Sequence, residues 1–253
     1  MLSLLKKASF KENTDHIIFT GDIIAKGPDS GGVVDLARNL NASCVRGNHE
    51  DRMLLAWQSL HSKMHPIPYE ADVDETNTTD DDGEEDSGSR GHYKERILAQ
   101  QFSKEQIDYL QRCPVILRVP NVPGLQDGEM VVVHAGIVPG VELDHQDPFQ
   151  VMNMRTIDLV TRVPSELRIF EAWEKIWNHQ QMHVHPPSQR VTVVYGHDSK
   201  RGLNIKKYSK GLDSGCVKGG KLSALILDSW GREKIVSVKC KEHKNDKLSG
   251  AQH

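Results

Sequence analysis

The stretch from His16 to Glu50 limits the fold more than any other part of the chain. Two short apolar runs, Ile17 to Thr20 and Ala42 to Val45, each lead into a glycine followed by side chains able to hold a metal: Gly21-Asp22 after the first, Gly47-Asn48-His49-Glu50 after the second. A helix-like segment, Gly32 to Leu40, separates them, and the order spells a β-α-β unit. Both polar clusters then fall just past the carboxyl ends of their strands, the edge on which open α/β sheets collect ligands. Asp22, Asn48 and His49 are therefore candidates for one site.

With 253 residues and 37% hydrophobic content, the chain can bury a full core, and a single α/β domain over residues 1–253 is expected. Its net charge of −3 is set by one segment, because ten acidic residues crowd between Glu70 and Asp86 and leave the remainder basic. The surrounding stretch, 65–91, adds Pro66, Pro68 and Ser87-Gly88-Ser89. It is too poor in apolar surface to order itself and reads as a disordered insertion. The tail, 243–253, reads as frayed. No apolar run approaches the length of about 18 residues that a membrane span needs. Cys44, Cys113, Cys216 and Cys240 lack Cys-x-x-Cys spacing and follow no signal peptide, so reduced, buried thiols are expected. That favours the cytoplasm, with a vacuolar location requiring an anchor upstream.

Met1 to Phe10 has the pattern of a helix ending in Lys6 and Lys7, and Glu50 to Met64 that of a helix laid over a sheet. Ser103-Lys-Glu-Gln106 is a capping box opening another helix. Strands follow at Val115–Val119 and Met130–Val133, the latter running into His134-Ala135-Gly136. Asn153 to Thr156 reads as a loop or short strand, and Phe170 to Gln180 as a helix whose Trp173, Ile176 and Trp177 face a core. Val191 to Tyr195 is a β-branched strand that runs into Gly196-His197-Asp198, and strands at Lys221–Leu227 and Lys234–Lys239 close the domain. His183 and His185 read as surface histidines before Pro186-Pro187, and Cys216 as structural.

Four strands thus deliver Asp22, Asn48, His134 and His197 to one edge. A mixed set of oxygen and imidazole donors suits zinc, manganese or iron better than calcium. The ordered set resembles the calcineurin-like metallophosphoesterases. The longer strings Gly21-Asp-Ile-Ile-Ala-Lys-Gly-Pro28, Asn153-Met-Arg155, Tyr195-Gly-His-Asp198 and Leu212-Asp-Ser-Gly-Cys-Val-Lys-Gly-Gly220 resemble the branch related to bacterial diadenosine tetraphosphatase. Among its eukaryotic members, that branch includes the fungal zinc-dependent endopolyphosphatase.

The resemblance implies a β-sandwich of two mixed sheets flanked by helices, a dinuclear divalent metal centre, and hydrolysis of phosphoric esters or anhydrides by a metal-bound hydroxide. It implies Asp22 as bridging ligand, Asn48, His134 and His197 as ligands of the second metal, and His49 as general acid or charge stabiliser. Lys26, Arg46, Arg52 and Arg155 are candidates to hold phosphate oxygens, the arginines through a planar fork. Lys200, Arg201, Lys206, Lys207 and Lys210 would give the site a basic rim suited to a polyanion. Long polyphosphate leads as substrate, with dinucleoside polyphosphates, mRNA caps and phosphoproteins as alternatives; no DNA partner is expected.

Two departures qualify that expectation. Ala25 and Lys26 stand where protein phosphatases carry a His-orienting Asp and an Arg, which favours the tetraphosphatase-like branch. The family's first motif, Asp-x-His-Gly, does not occur in the chain, which begins at the segment that follows it in relatives. Two ligands of the first metal and the first central strand are then expected to be missing. A catalytically impaired phosphate-binding module, holding one ion or none, is the alternative from another class.

Overall fold

The computed structural model describes residues 1–62, 88–119, 122 and 128–243, of which 88–92 by backbone alone. In chain order the elements are α1 (Leu2–Ala8), β1 (Ile18–Phe19), α2 (Ser30–Asn39), β2 (Ser43–Cys44), α3 (Asn48–His61), α4 (Gly88–Gln101), α5 (Lys104–Gln111), β3 (Ile116–Val119) and β4 (Glu129–Val133). There follow α6 (Pro148–Asn153), β5 (Thr156–Ile157), β6 (Pro164–Ser165), β7 (Glu171–Ala172), α7 (Trp173–His183), β8 (Val191–Tyr195), β9 (Asn204–Ile205), β10 (Ser209–Gly211), β11 (Lys221–Leu227) and β12 (Glu233–Lys239).

β4 and β8 pair in parallel inside a five-stranded mixed sheet of order β3-β4-β8-β10-β9. Alternation along the strands sorts their side chains between two cores. Val131, Val133, Val193 and Tyr195 join Trp173 and Trp177 of α7 and Val151 of α6. Met130, Val132 and Val194 join Val45 and the partly buried Ile18, Leu212, Leu225 and Leu227. That second core is the filling of a sandwich, closed by the parallel β1–β2 pair and the antiparallel β11–β12 hairpin. A third core sets Val34, Met53, Leu54, Ile107 and Leu110 of α2, α3 and α5 against Cys44 and Phe19. Mixed sheets flanked by helices are thus as the sequence leads one to expect; among the described residues, hydrogen bonding divides the strands into four sheets.

Several local expectations hold closely. The capping box at Ser103 forms, with Gln106 N–H donating to Ser103 Oγ (3.3 Å) and Ser103 N–H to Gln106 Oε1 (2.9 Å). The Asn153 segment differs, because Pro148 opens a helix, α6, capped by Asp147 Oδ1 accepting from Phe149 N–H at 2.9 Å. Pro at the first helical position behind an Asp cap is a start signal. Of the stretch expected as a disordered insertion, residues 88–91 instead open α4. Its remainder through residue 87, and the tail beyond His243, lie outside the described residues.

The cysteines correct the sequence expectation outright. Cys44 and Cys113 form a disulfide, as do Cys216 and Cys240, each pair with Cα atoms 5.2 Å apart. The first pair is 69 residues apart in sequence and meets only because the end of β2 lies against the turn after α5, where Arg46 N–H also donates to Pro114 O (2.8 Å). Linear spacing carries no trace of that approach. A crosslink closing a loop of this size constrains the unfolded chain. Replacing Cys44 and Cys113 together by Ala should therefore cost about 2–4 kcal/mol in urea unfolding. Dithiothreitol should reproduce that part of the loss in the native sequence and add nothing further from this bridge in the variant.

Candidate metal centre

Asp22 lies three residues past the end of β1, in a turn whose backbone is left-handed at both Gly21 (φ 84°) and Asp22 (φ 53°). An added Cβ at Gly21 would stand 2.6 Å from His134 Nδ1 and 2.9 Å from Gly47 N, so glycine is required by conformation and by space. Asp22 itself bears the cost of a non-glycine residue in that region, about 1–3 kcal/mol, and so does His197 (φ 67°). Two candidate ligands are thus held in conformations that local preference disfavours. Across from them, Gly47 caps α3 and packs so closely on the Asp22 carboxylate that no side chain fits.

Hydrogen bonds to main-chain carbonyls fix which imidazole nitrogen each histidine offers. A carbonyl only accepts, so His134 Nδ1 donates to Thr20 O (2.8 Å) and presents Nε2 at 3.2 Å from Asp22 Oδ1. His197 Nε2 donates to Asn153 O (3.0 Å) and turns Nδ1 to 3.2 Å from His134 Nε2. The donor atoms of Asp22, His134 and His197 all lie within 4.8 Å of one another, and among the described residues no other group of three or more His, Cys, Asp or Glu does so. Among the described residues, Asn48 Oδ1 is buried without a hydrogen-bond partner, on the residue between Gly47 and His49, both of which touch Asp22. Three converging donors, each imidazole anchored from behind, are the arrangement of a metal site, and an orphaned acceptor on the same turn suits it.

The electrostatics agree. Burial opposes ionisation of Asp22, but the imidazoles of His134 and His49, with Lys26, outweigh it and hold the carboxyl well below its usual range. Burial, the charge of His134 and that of Arg155 hold His197 well below the ordinary imidazole range, so its Nδ1 keeps a lone pair. A carboxylate, an amide oxygen and two imidazoles fit a zinc-, manganese- or iron-type dication.

The remaining expected residues are placed unevenly. His49, second residue of α3, sits with Nε2 3.8 Å from Asp22 Oδ2, while its N–H donates to Asp22 Oδ1 (3.3 Å). Arg155 is buried, its Nη1 donating to Glu166 O (2.9 Å). Arg46 is drawn off: Nη1 pairs with Asp51 at 3.5 Å and Nη2 donates to Gln111 O (3.0 Å). Arg52 lies on α3, one turn beyond Asn48 and partly exposed.

Of the expected basic rim, Lys200 and Lys207 are exposed, while the other three cations turn inward. Arg201 bonds both oxygens of the buried Glu174 (2.8 and 3.0 Å) and Asp198 Oδ2 (3.0 Å), Lys206 approaches Glu174 at 3.3 Å, and Lys210 is buried against Glu233 at 2.7 Å. Lys207 lies over the Tyr208 ring. Arg168 closes the network on Asp198 (2.7 Å). Arg168 and Arg201 thus brace the loop after β8, which carries His197.

Sequence reasoning also passed over Glu50. Fully buried, it accepts from the N–H groups of Asp22 (2.8 Å), Ile23 (2.8 Å), Ile24 (3.3 Å) and Gly47 (2.9 Å). Burial and the charge of Asp22 push its carboxyl up to about 7. The four donors leave no acceptor for an added proton and mark the anion as the working form. Its signal was present in the sequence as the third residue of a helix, reaching back to the cap.

Two measurements test this framework. At pH 8, Glu50→Gln should lower stability by about 1–3 kcal/mol, since an amide cannot accept all four donors. For Asp198, burial raises the carboxyl and the guanidinium groups of Arg168 and Arg201 more than offset it, holding it below the ordinary value of 3.8. Its contribution is complete above that value and is lost as pH falls below it. Acid unfolding of Asp198→Asn should lack that component.

Comparison with known proteins agrees with this architecture. The chain matches the calcineurin-like phosphoesterase family over residues 1–218. It is 29% identical over 231 residues to the zinc-dependent endopolyphosphatase of Saccharomyces cerevisiae, covering 83% of this chain but 65% of the yeast protein's length. With the symmetrical bis(5'-nucleosyl)-tetraphosphatase of Nitrosospira multiformis it shares 23% identity over 283 residues, 94% of this chain and 90% of that one. A crystal structure described as that of a proposed diadenosine tetraphosphatase superposes with a TM-score of 0.71 at 31% identity, covering 96% of this chain and 88% of the other. The chain belongs to the calcineurin-like phosphoesterase family, and use of a divalent metal comes with that membership.

Proposed function

We propose that this protein is a metal-dependent hydrolase of phosphoanhydride bonds, with long polyphosphate as its leading substrate and Asp22, Asn48, His134 and His197 as its metal ligands. The observation that carries the proposal is the convergence of Asp22 Oδ1, His134 Nε2 and His197 Nδ1. Divalent ions held there supply a nucleophilic water of lowered pKa and charge neutralisation for the phosphoryl group. Zinc heads the choice of metal, because the donor set is borderline in softness and the yeast relative is named for it.

The chain's own residues do the rest. Asn48 contributes a neutral oxygen, which limits negative charge where an anionic substrate must approach. Asp22 turns its second oxygen toward His49, leaving it able to bridge a further ion. His49 Nε2 stands where it can pass a proton to a leaving phosphate oxygen, and the N-terminus of α3 adds a favourable field for the anion. Arg155, its Nη1 donating to Glu166 O, holds substrate oxygens. The disulfides favour maturation in an oxidising compartment over the reducing cytoplasm.

A dinucleoside tetraphosphate is the second reading, favoured by the fold match along 96% of the chain to the proposed diadenosine tetraphosphatase. Cleavage of polyphosphate, read as chain shortening, and of diadenosine tetraphosphate, read as the nucleoside phosphates formed, decides between them by kcat/KM. Zinc and manganese counting on the same preparation decides between an enzyme and a binding module. Asp22→Asn should abolish turnover and most metal uptake. Arg155→Ala should raise KM for the polyanion roughly ten- to a hundredfold, the loss of one charge-assisted contact, and leave a small aryl phosphate much less affected. Equal losses on both substrates would remove Arg155 from phosphate binding.

A further inference from the structure

Two histidines that the phosphatase reading leaves unused stand four residues apart on α7. His179 and His183 share one helical face, with ring centroids 4.7 Å apart and planes inclined by 46°. His183 Nδ1 lies 2.8 Å from His179 O; the carbonyl accepts, so this nitrogen carries the proton and Nε2 keeps its lone pair. The sequence suggests His185 as the neighbour of His183, but the helix gives that place to His179.

Both rings, with Arg162, Ile176 and Gln180, line a surface cavity of about 460 Å³. Gln180, between the two histidines in sequence, also lines this cavity, and its Oε1 is buried without a hydrogen-bond partner among the described residues. Two imidazoles at i and i+4 on one helix can direct nitrogen lone pairs to a single ion, the spacing by which a helix presents paired histidines to zinc. Imidazole selects zinc or copper over calcium and magnesium.

We infer that His179 and His183 form a second metal-binding site, on the surface of α7, for a borderline dication such as Zn²⁺ or Cu²⁺. Two protein donors leave the ion's other positions open to water or to an anion. The exposed Arg162 beside them opposes a bare dication and favours an anion there. The site is separate from the Asp22 centre, which draws on different elements, and it does not depend on the hydrolase reading.

The test is zinc stoichiometry of the full chain after equilibrium dialysis, together with Cu²⁺ electron paramagnetic resonance, in His179→Ala, His183→Ala, His183→Gln and Asp22→Asn. Each histidine variant should bind one zinc ion fewer and lose the nitrogen hyperfine lines of the surface copper, with unchanged circular dichroism and unchanged cleavage of polyphosphate. Asp22→Asn should keep both features. Unaltered uptake in the histidine variants, or a copper signal that disappears with Asp22→Asn, overturns the inference. So does an anion pocket, seen as inorganic phosphate binding that Arg162→Ala abolishes while no zinc is held at the histidines.

Discussion

The Glu50 carboxylate is the point on which the site depends. Its two oxygens gather four main-chain N–H groups from two chain segments, tying the turn after β1 to the start of α3. A left-handed Gly21-Asp22 pair is disfavoured on its own, and it persists because this buried anion satisfies the donors that the turn exposes. From that one knot follow the direction of the Asp22 carboxylate and the fit of Gly47 against it. The position of Asn48, the next residue along α3, follows as well.

The opposite wall of the site is built by a different physics. His134 and His197 end adjacent parallel strands, and parallel pairing brings their carboxyl ends to the same edge without further instruction. What they need is orientation, supplied by the carbonyls of Thr20 and Asn153. Thr20 belongs to the Asp22 wall, so the bond from His134 also fastens the two walls together. The charges around Glu174 and Asp198 then hold the β8 loop in place. Their burial is tolerated because each carboxylate is met by more than one cation or amide.

Much of this was legible in the chain. β-branched runs located β1, β4 and β8, and the glycines near their ends pointed to the turns that bring Asp22, His134 and His197 together, because strand ends and sharp turns leave local signatures. The hairpin β11–β12 and the capping box at Ser103 were equally plain. Long-range pairing was not. The disulfides, the capture of Arg46 by Asp51 and Gln111, and the conversion of a basic cluster into internal braces all depend on which residues the fold brings together over tens of positions. A lysine or arginine reads the same in sequence whether it faces solvent or a buried glutamate. The helix at Pro148 carries an Asp-Pro start signal but runs for only six residues, too short for a helical apolar period to show.

The donors come from both walls, Asp22 and Asn48 from one and His134 and His197 from the other. An ion seated among them would act as a removable rivet between segments as remote as residues 22 and 197. Its occupancy would then enter the folding equilibrium by mass action, and the melting point of the sandwich would rise with free metal. Supply of the cation and integrity of the scaffold would, for this architecture, be thermodynamically linked.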